Sequence, residues 1–126
     1  MSSGWIKISR EMLEWEWYSS PEMVQLFLYL LLMANHKSKQ WRGITVERGQ
    51  VVTSRNELCK NLNMSPRVVR TCMTRLISTN EVTSESTSQY TVITICNYDK
   101  YQYHESDSDQ QNDQQNDQRA TNERPT

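Results

Sequence analysis

The stretch SRNELCKNLNMSPRVVRTCMTRLIS, residues 54–78, decides the fold, because it carries two helix-start signals with a break between them. Ser54-Arg55-Asn56-Glu57 fits a capping box. Ser54 at the N-cap accepts from the Glu57 N–H, and the Glu57 carboxylate reaches back to the Ser54 N–H, which predicts a short helix to about Leu62. Asn63-Met64 is a tight break. Ser65-Pro66 then repeats the start signal, with Ser as N-cap and Pro at the first helical position, where its missing N–H costs nothing. A second helix is expected from there to about Ser78.

At ~100° per residue, Val69, Cys72, Met73 and Leu76 fall on one stripe and face inward. The outward face is then Arg67, Thr71, Thr74 and Ser78, flanked by Arg70 and Arg75, and it holds no carboxylate. Guanidinium groups suit guanine edges and phosphates, and short hydroxyls can approach bases or backbone. Arginines also occur on ordinary solvated helix faces; the lack of acids on this one favours a polyanion. The predicted DNA-binding set is Arg55, Lys60, Ser65, Arg67, Arg70, Thr71, Thr74 and Arg75, with Arg55 and Lys60 placed for phosphates beside the second helix.

Upstream, Ser9 caps a predicted helix over REMLEWEWY, and Ser20-Pro21 opens another to about Asn35 that is apolar nearly all round and therefore central. NHKSKQWRG reads as a polar loop ending at Trp41 and Gly43. ITVERGQVVTS then offers β-branched residues around a Gly49 turn, enough for an extended segment or hairpin. Downstream, Glu81 to Asn97 is rich in Val, Thr, Ile and Tyr, with SESTSQ in its middle, and predicts two antiparallel strands. No Leu, Ile, Val, Met, Phe, Trp or Tyr occurs after Tyr103 and QQND recurs, so residues 104–126 are expected to be a disordered Gln/Asn/Asp-rich tail or linker behind a folded domain over 1–103.

The chain's net charge of -1 hides an asymmetry: the tail holds six acids against Arg119 and Arg124, leaving it at -4 and the body at +3. Arg48 to Arg75 carries six basic residues against Glu57 alone. Cys59, Cys72 and Cys96 are odd in number and widely spaced, which suits reduced, buried thiols in a cytoplasmic protein rather than a disulfide framework or metal pair. No export signal is read at the N-terminus, and the longest apolar run, Leu26 to Ala34, is far below the ~20 residues that span a bilayer. His36 and His104 are isolated, and no phosphate-loop, dinucleotide or nucleophile-elbow motif occurs, so neither catalysis nor a metal or other cofactor is expected.

Extended segment, short helix, tight turn, longer helix and hairpin, preceded by two helices, is the order of a winged helix-turn-helix, mainly α with a small β-hairpin wing. Its second helix can enter the major groove, whose ~12 Å width admits an α-helix. Against a phosphate-contacting wing stands EVTSESTSQY, residues 81–90, with Glu81 and Glu85 and no Lys or Arg. Trp15 and Trp17 are candidates for a partner-binding anchor.

EWEWY, LLLMANH, WRGI, RGQVVTSR, MSPRVVRTCMTRLISTNE and NYDKYQ, all between Trp5 and Gln102, together resemble the N-terminal winged-helix domain of phage and prophage replication proteins, the replisome organisers related to DnaD. The resemblance implies origin DNA binding or self-association in a bacterial host cell. It also implies a polar linker, here 104–126, leading to a helicase- or helicase-loader-recruiting region not in this chain. The expected function is double-stranded DNA binding in replication initiation. The alternatives are an oligomerisation or protein-docking module and a prophage transcriptional regulator, whose groove chemistry is the same.

Overall fold

The computed structural model describes residues 4–102; the predicted tail lies outside the described residues. Among these residues the chain forms helices α1 (Pro21–Met33), α2 (Arg55–Leu62), α3 (Pro66–Ser78) and α4 (Tyr98–Tyr101). The strands are β1 (Lys39–Trp41), β2 (Ile44–Val46), β3 (Gln50–Thr53), β4 (Val82–Ser86) and β5 (Thr91–Ile95). The architecture is mixed, four helices with two small antiparallel sheets, where a mainly α chain with one hairpin was expected.

Both predicted caps of the central stretch form. Ser54 Oγ accepts from the Glu57 N–H at 3.1 Å and Ser65 Oγ accepts from the Val68 N–H at 3.2 Å. The Glu57 carboxylate accepts instead from the Thr53 hydroxyl at 3.4 Å, so the box is only half built. Asn63 takes the left-handed conformation, φ 56°, that ends α2, and Met64 N–H donates to the Cys59 carbonyl at 3.1 Å. The polar side chain of Asn tolerates this conformation, which lets two helices meet across so short a turn.

α1 buries Met23, Leu26, Phe27, Leu30 and Leu31 against Leu58 and Leu62 of α2, Val69, Cys72 and Leu76 of α3, and Val51, Val82, Ile93 and Ile95 of the sheet. These residues make one continuous core, which is what an apolar central helix requires. The larger sheet has the order β3-β5-β4. β3 feeds directly into α2, α3 feeds into β4, and β5 returns between them with Val51 opposite Ile93 and Val82 opposite Ile95.

Two expectations are corrected. The Ser9-capped helix is only a 3-10 turn, Arg10–Glu14, followed by irregular chain. Trp15 and Trp17 both turn toward the α3–β4 junction, and two residues apart on an α-helix they would diverge by about 200°. The polar loop contains β1, which pairs with β2 through Trp41 opposite Ile44. Arg42 and Gly43 form its two-residue turn with φ 48° and 83°, the positive pair that a type I′ hairpin demands. Of the two alternatives around the Gly49 turn, the extended segment forms: β3 pairs with β5 and closes no hairpin with β2.

Gly49 is required for two reasons. Its φ is 84°, and a Cβ there would lie 2.8 Å from the Tyr98 Cβ. Nearby, Arg48 donates to the Asp99 carboxylate and to the His36 carbonyl at 2.9 Å while its guanidinium stacks 4.9 Å from the Tyr98 ring centroid. The domain's two ends are clasped by Gln102, whose buried amide accepts from Lys7 N–H at 2.8 Å and donates to Lys7 O at 2.9 Å.

Candidate nucleic-acid interface

α3 is amphipathic in the expected phase. Val69, Cys72 and Leu76 are buried, Met73 is half-buried, and Arg67, Arg70, Thr71, Thr74, Arg75 and Ser78 are exposed. The first turn of the helix holds no acid. Burial, with Glu22 adding to it and Arg75 opposing it, pushes the Cys72 thiol up, so the thiol packs as a small apolar group.

A groove of about 200 Å³ separates α3 from the β4–β5 hairpin. Arg70, Met73, Thr74 and Ile77 form one wall, Ser84, Ser86, Thr91 and Ile93 the other, and Ser54 and Arg55 at the start of α2 close one end. Arg55, Arg70 and Thr74 are thus brought together. Arg67 and Thr71 share the exposed side of α3 outside this groove, and Lys60 is exposed on α2 without lining it. Ser65 is exposed, and its oxygen is occupied by the Val68 N–H.

Arg75 is set apart from the other arginines. Its guanidinium carbon sits 5.4 Å from the Trp17 ring centroid, a cation–π contact that ties the end of α3 to the N-terminal segment. Trp17 Nε1 donates to the Thr79 hydroxyl at 3.1 Å and Trp15 Nε1 to the Glu81 carboxylate at 3.0 Å, while the Thr79 hydroxyl also donates to Glu81. Trp15 further packs 5.1 Å from Phe27. The two indoles expected as partner anchors are half-buried with their N–H groups satisfied within the chain. Leu13 and Tyr18 of the same segment are exposed, and a further apolar patch, Trp5 (90% exposed), Leu32 (64%) and Met33 (52%), borders a concavity of about 440 Å³ at the end of α1.

The hairpin is less acidic toward the groove than its sequence implies. Glu81 lies at the base of β4, held by Trp15 and Thr79. Glu85 alternates with the groove-lining Ser84 and Ser86 and so projects from the other sheet face. On that other face Tyr90 meets Trp41 edge-on, with centroids 5.1 Å apart, and Arg42 stacks 5.1 Å from the Trp41 centroid. Sequence reasoning passed over Arg42 because the segment read as a loop; the signal available was the Trp41-Arg42-Gly43-Ile44 turn.

Among the described residues no cluster of three or more His, Cys, Asp or Glu is placed to hold a metal ion, and no helix is long and apolar enough to cross a membrane. No family model, curated protein or solved structure matches the chain.

Proposed function

We propose that this chain is a winged helix-turn-helix domain that binds double-stranded DNA, with α3 in the major groove and the start of α2 on the flanking phosphates. The observation that carries the reading is the exposed, acid-free side of α3, Arg67, Arg70, Thr71 and Thr74, joined at the hairpin groove by Arg55. The element order α1, β3, α2, α3, β4, β5 and the strand order β3-β5-β4 support it. The resemblance to phage replisome organisers supports placing this binding in replication initiation. With about five phosphates engaged, log K should fall against log salt with a slope near -4.5, at ~0.9 per phosphate. Arg67→Glu with Arg70→Glu should abolish duplex binding in an anisotropy titration; unchanged affinity would refute the reading.

A second reading, self-association or protein docking, is favoured by the patch of Trp5, Leu32 and Met33. It predicts a concentration-dependent dimer or larger assembly in sedimentation, lost in Trp5→Ser. A strict monomer at high concentration would refute it.

A further inference from the structure

We infer that the β1–β2 hairpin supplies the cationic contact that the β4–β5 hairpin lacks, with Arg42, held on Trp41 beside Tyr90, gripping the sugar-phosphate backbone of the same duplex. The inference rests on the duplex-binding reading above. The turn of the β4–β5 hairpin, residues 87–90, contains no Lys or Arg, so a duplex lying on α3 would meet only hydroxyls, an amide and Tyr90 there.

Register places the parts at one end of the sheet. Thr91 pairs with both Thr53 of β3 and Ser86 of β4, so the start of α2 with Arg55 and the 87–90 turn share that end. Thr91 and Ser86 face the α3 groove, whereas Tyr90, one residue earlier, faces the opposite side and contacts Trp41. The β1–β2 hairpin is therefore fastened to the same end that carries Arg55, on the other side of the turn.

Two features of Arg42 point outward. It is exposed and has no carboxylate partner among the described residues; Glu85, which shares this face, makes no ion pair with it. Its guanidinium carbon lies over the Trp41 ring, 5.1 Å from the centroid, and among the described residues its N–H groups have no hydrogen-bond acceptor, which leaves them to donate to a phosphate. Arg42 also sits at φ 48° in a turn position that favours Asn, Asp or Gly, a strained placement of the kind found where a side chain has work beyond the turn. Trp41 is half-buried and anchors the guanidinium, so the contact expected is to phosphate and carries no base preference.

The test uses the full chain and a fluorescein-labelled mixed-sequence duplex over a sodium chloride series. Arg42→Asn and Arg42→Gly both suit the type I′ turn and should melt at or above the wild-type temperature. Their log–log salt slope should be shallower by about 0.9, and affinity at ~0.1 M salt should drop roughly threefold to tenfold. Arg42→Lys should restore the slope. Wild-type slopes in both Asn and Gly variants, with Arg67→Glu/Arg70→Glu still losing the duplex, would overturn this inference alone. A wild-type chain that binds no duplex would overturn the parent reading and the inference with it.

Discussion

Gly43 and Gly49 form a natural experiment, because their φ values are nearly equal, 83° and 84°, while their surroundings differ completely. A Cβ at Gly43 meets nothing within 4 Å, whereas one at Gly49 meets the Tyr98 Cβ at 2.8 Å and Cγ at 3.0 Å. Gly43→Ala should therefore cost only the left-handed strain, about 1–2 kcal/mol. Gly49→Ala adds overpacking of about 1–3 kcal/mol. The backbone at Gly49 cannot easily retreat, since its N–H donates to Asn35 O at 2.8 Å and its O accepts from Ile95 N–H at 2.9 Å. Tyr98 is pinned in turn by Arg48 above its ring and by a 3.2 Å bond between its hydroxyl and His36 Nδ1. For a domain this size each kcal/mol lowers Tm by ~4–8 °C, so Gly49→Ala should melt at least about 4 °C below Gly43→Ala in thermal scans followed by circular dichroism. Since such domains hold only ~5–15 kcal/mol in all, the Gly49 variant should also unfold at clearly lower urea. Equal losses for the two variants would refute the claim that Tyr98 closes this position.

Ser65→Ala should cost about 1 kcal/mol by orphaning the Val68 N–H, and Ser65→Asp should recover it; urea midpoints with unchanged slopes measure both. Gln102→Ala should free the Lys7 N–H and carbonyl and speed amide exchange over residues 4–9 while leaving α3 protected; unaltered exchange there would show that the clasp holds nothing. Tyr98 and Tyr101 are both held above the ordinary 10.0, chiefly by burial, with Arg48 opposing the rise at Tyr98 and Glu81 adding to it at Tyr101. The folded chain thus keeps protons that the unfolded chain loses, so this stability is complete below pH ~10 and is lost as pH rises through the folded values. Urea midpoints should fall above that pH, and a midpoint that rose would contradict the sign.

Much of α2 and α3 was legible because their signals are local: Ser54, Ser65 and Pro66 act on backbone groups within one turn, and the stripe of Val69, Cys72 and Leu76 repeats with the helix. β1 was not legible because Lys39 and Gln40 are exposed and polar, and its strand exists only by pairing with Val46 and Thr45 across a two-residue turn. The pairing of β3 with β5 joins residues some forty positions apart, which no local pattern encodes. The N-terminal segment misled for a third reason. Ser9 caps its first turn as a helix would require, yet Trp15 and Trp17 have polar partners at Glu81 and Thr79 on a single junction, and satisfying both indoles outweighs a short helix with little intrinsic stability.

These partnerships also divide the basic residues by task, which composition alone could not do. Arg48 lies in the most basic segment of the chain, but Asp99, His36 and Tyr98 hold it in place at the far end of β3. Arg75 lies on the basic helix but rests on Trp17 beside the junction that fixes where α3 ends. Removing these two leaves Arg55, Lys60, Arg67 and Arg70 exposed on the helix pair, and the Trp41 stack adds Arg42 from a segment that sequence had assigned to a loop. The two stacked arginines differ in what surrounds them. The indole under Arg75 is bonded into the core junction, so that contact orients α3, whereas Arg42 stands at a turn tip with its N–H edges open. A cation that stabilises the fold and a cation that can meet a phosphate are thus told apart by what their aromatic platform is attached to, and the net charge of a segment says nothing about that.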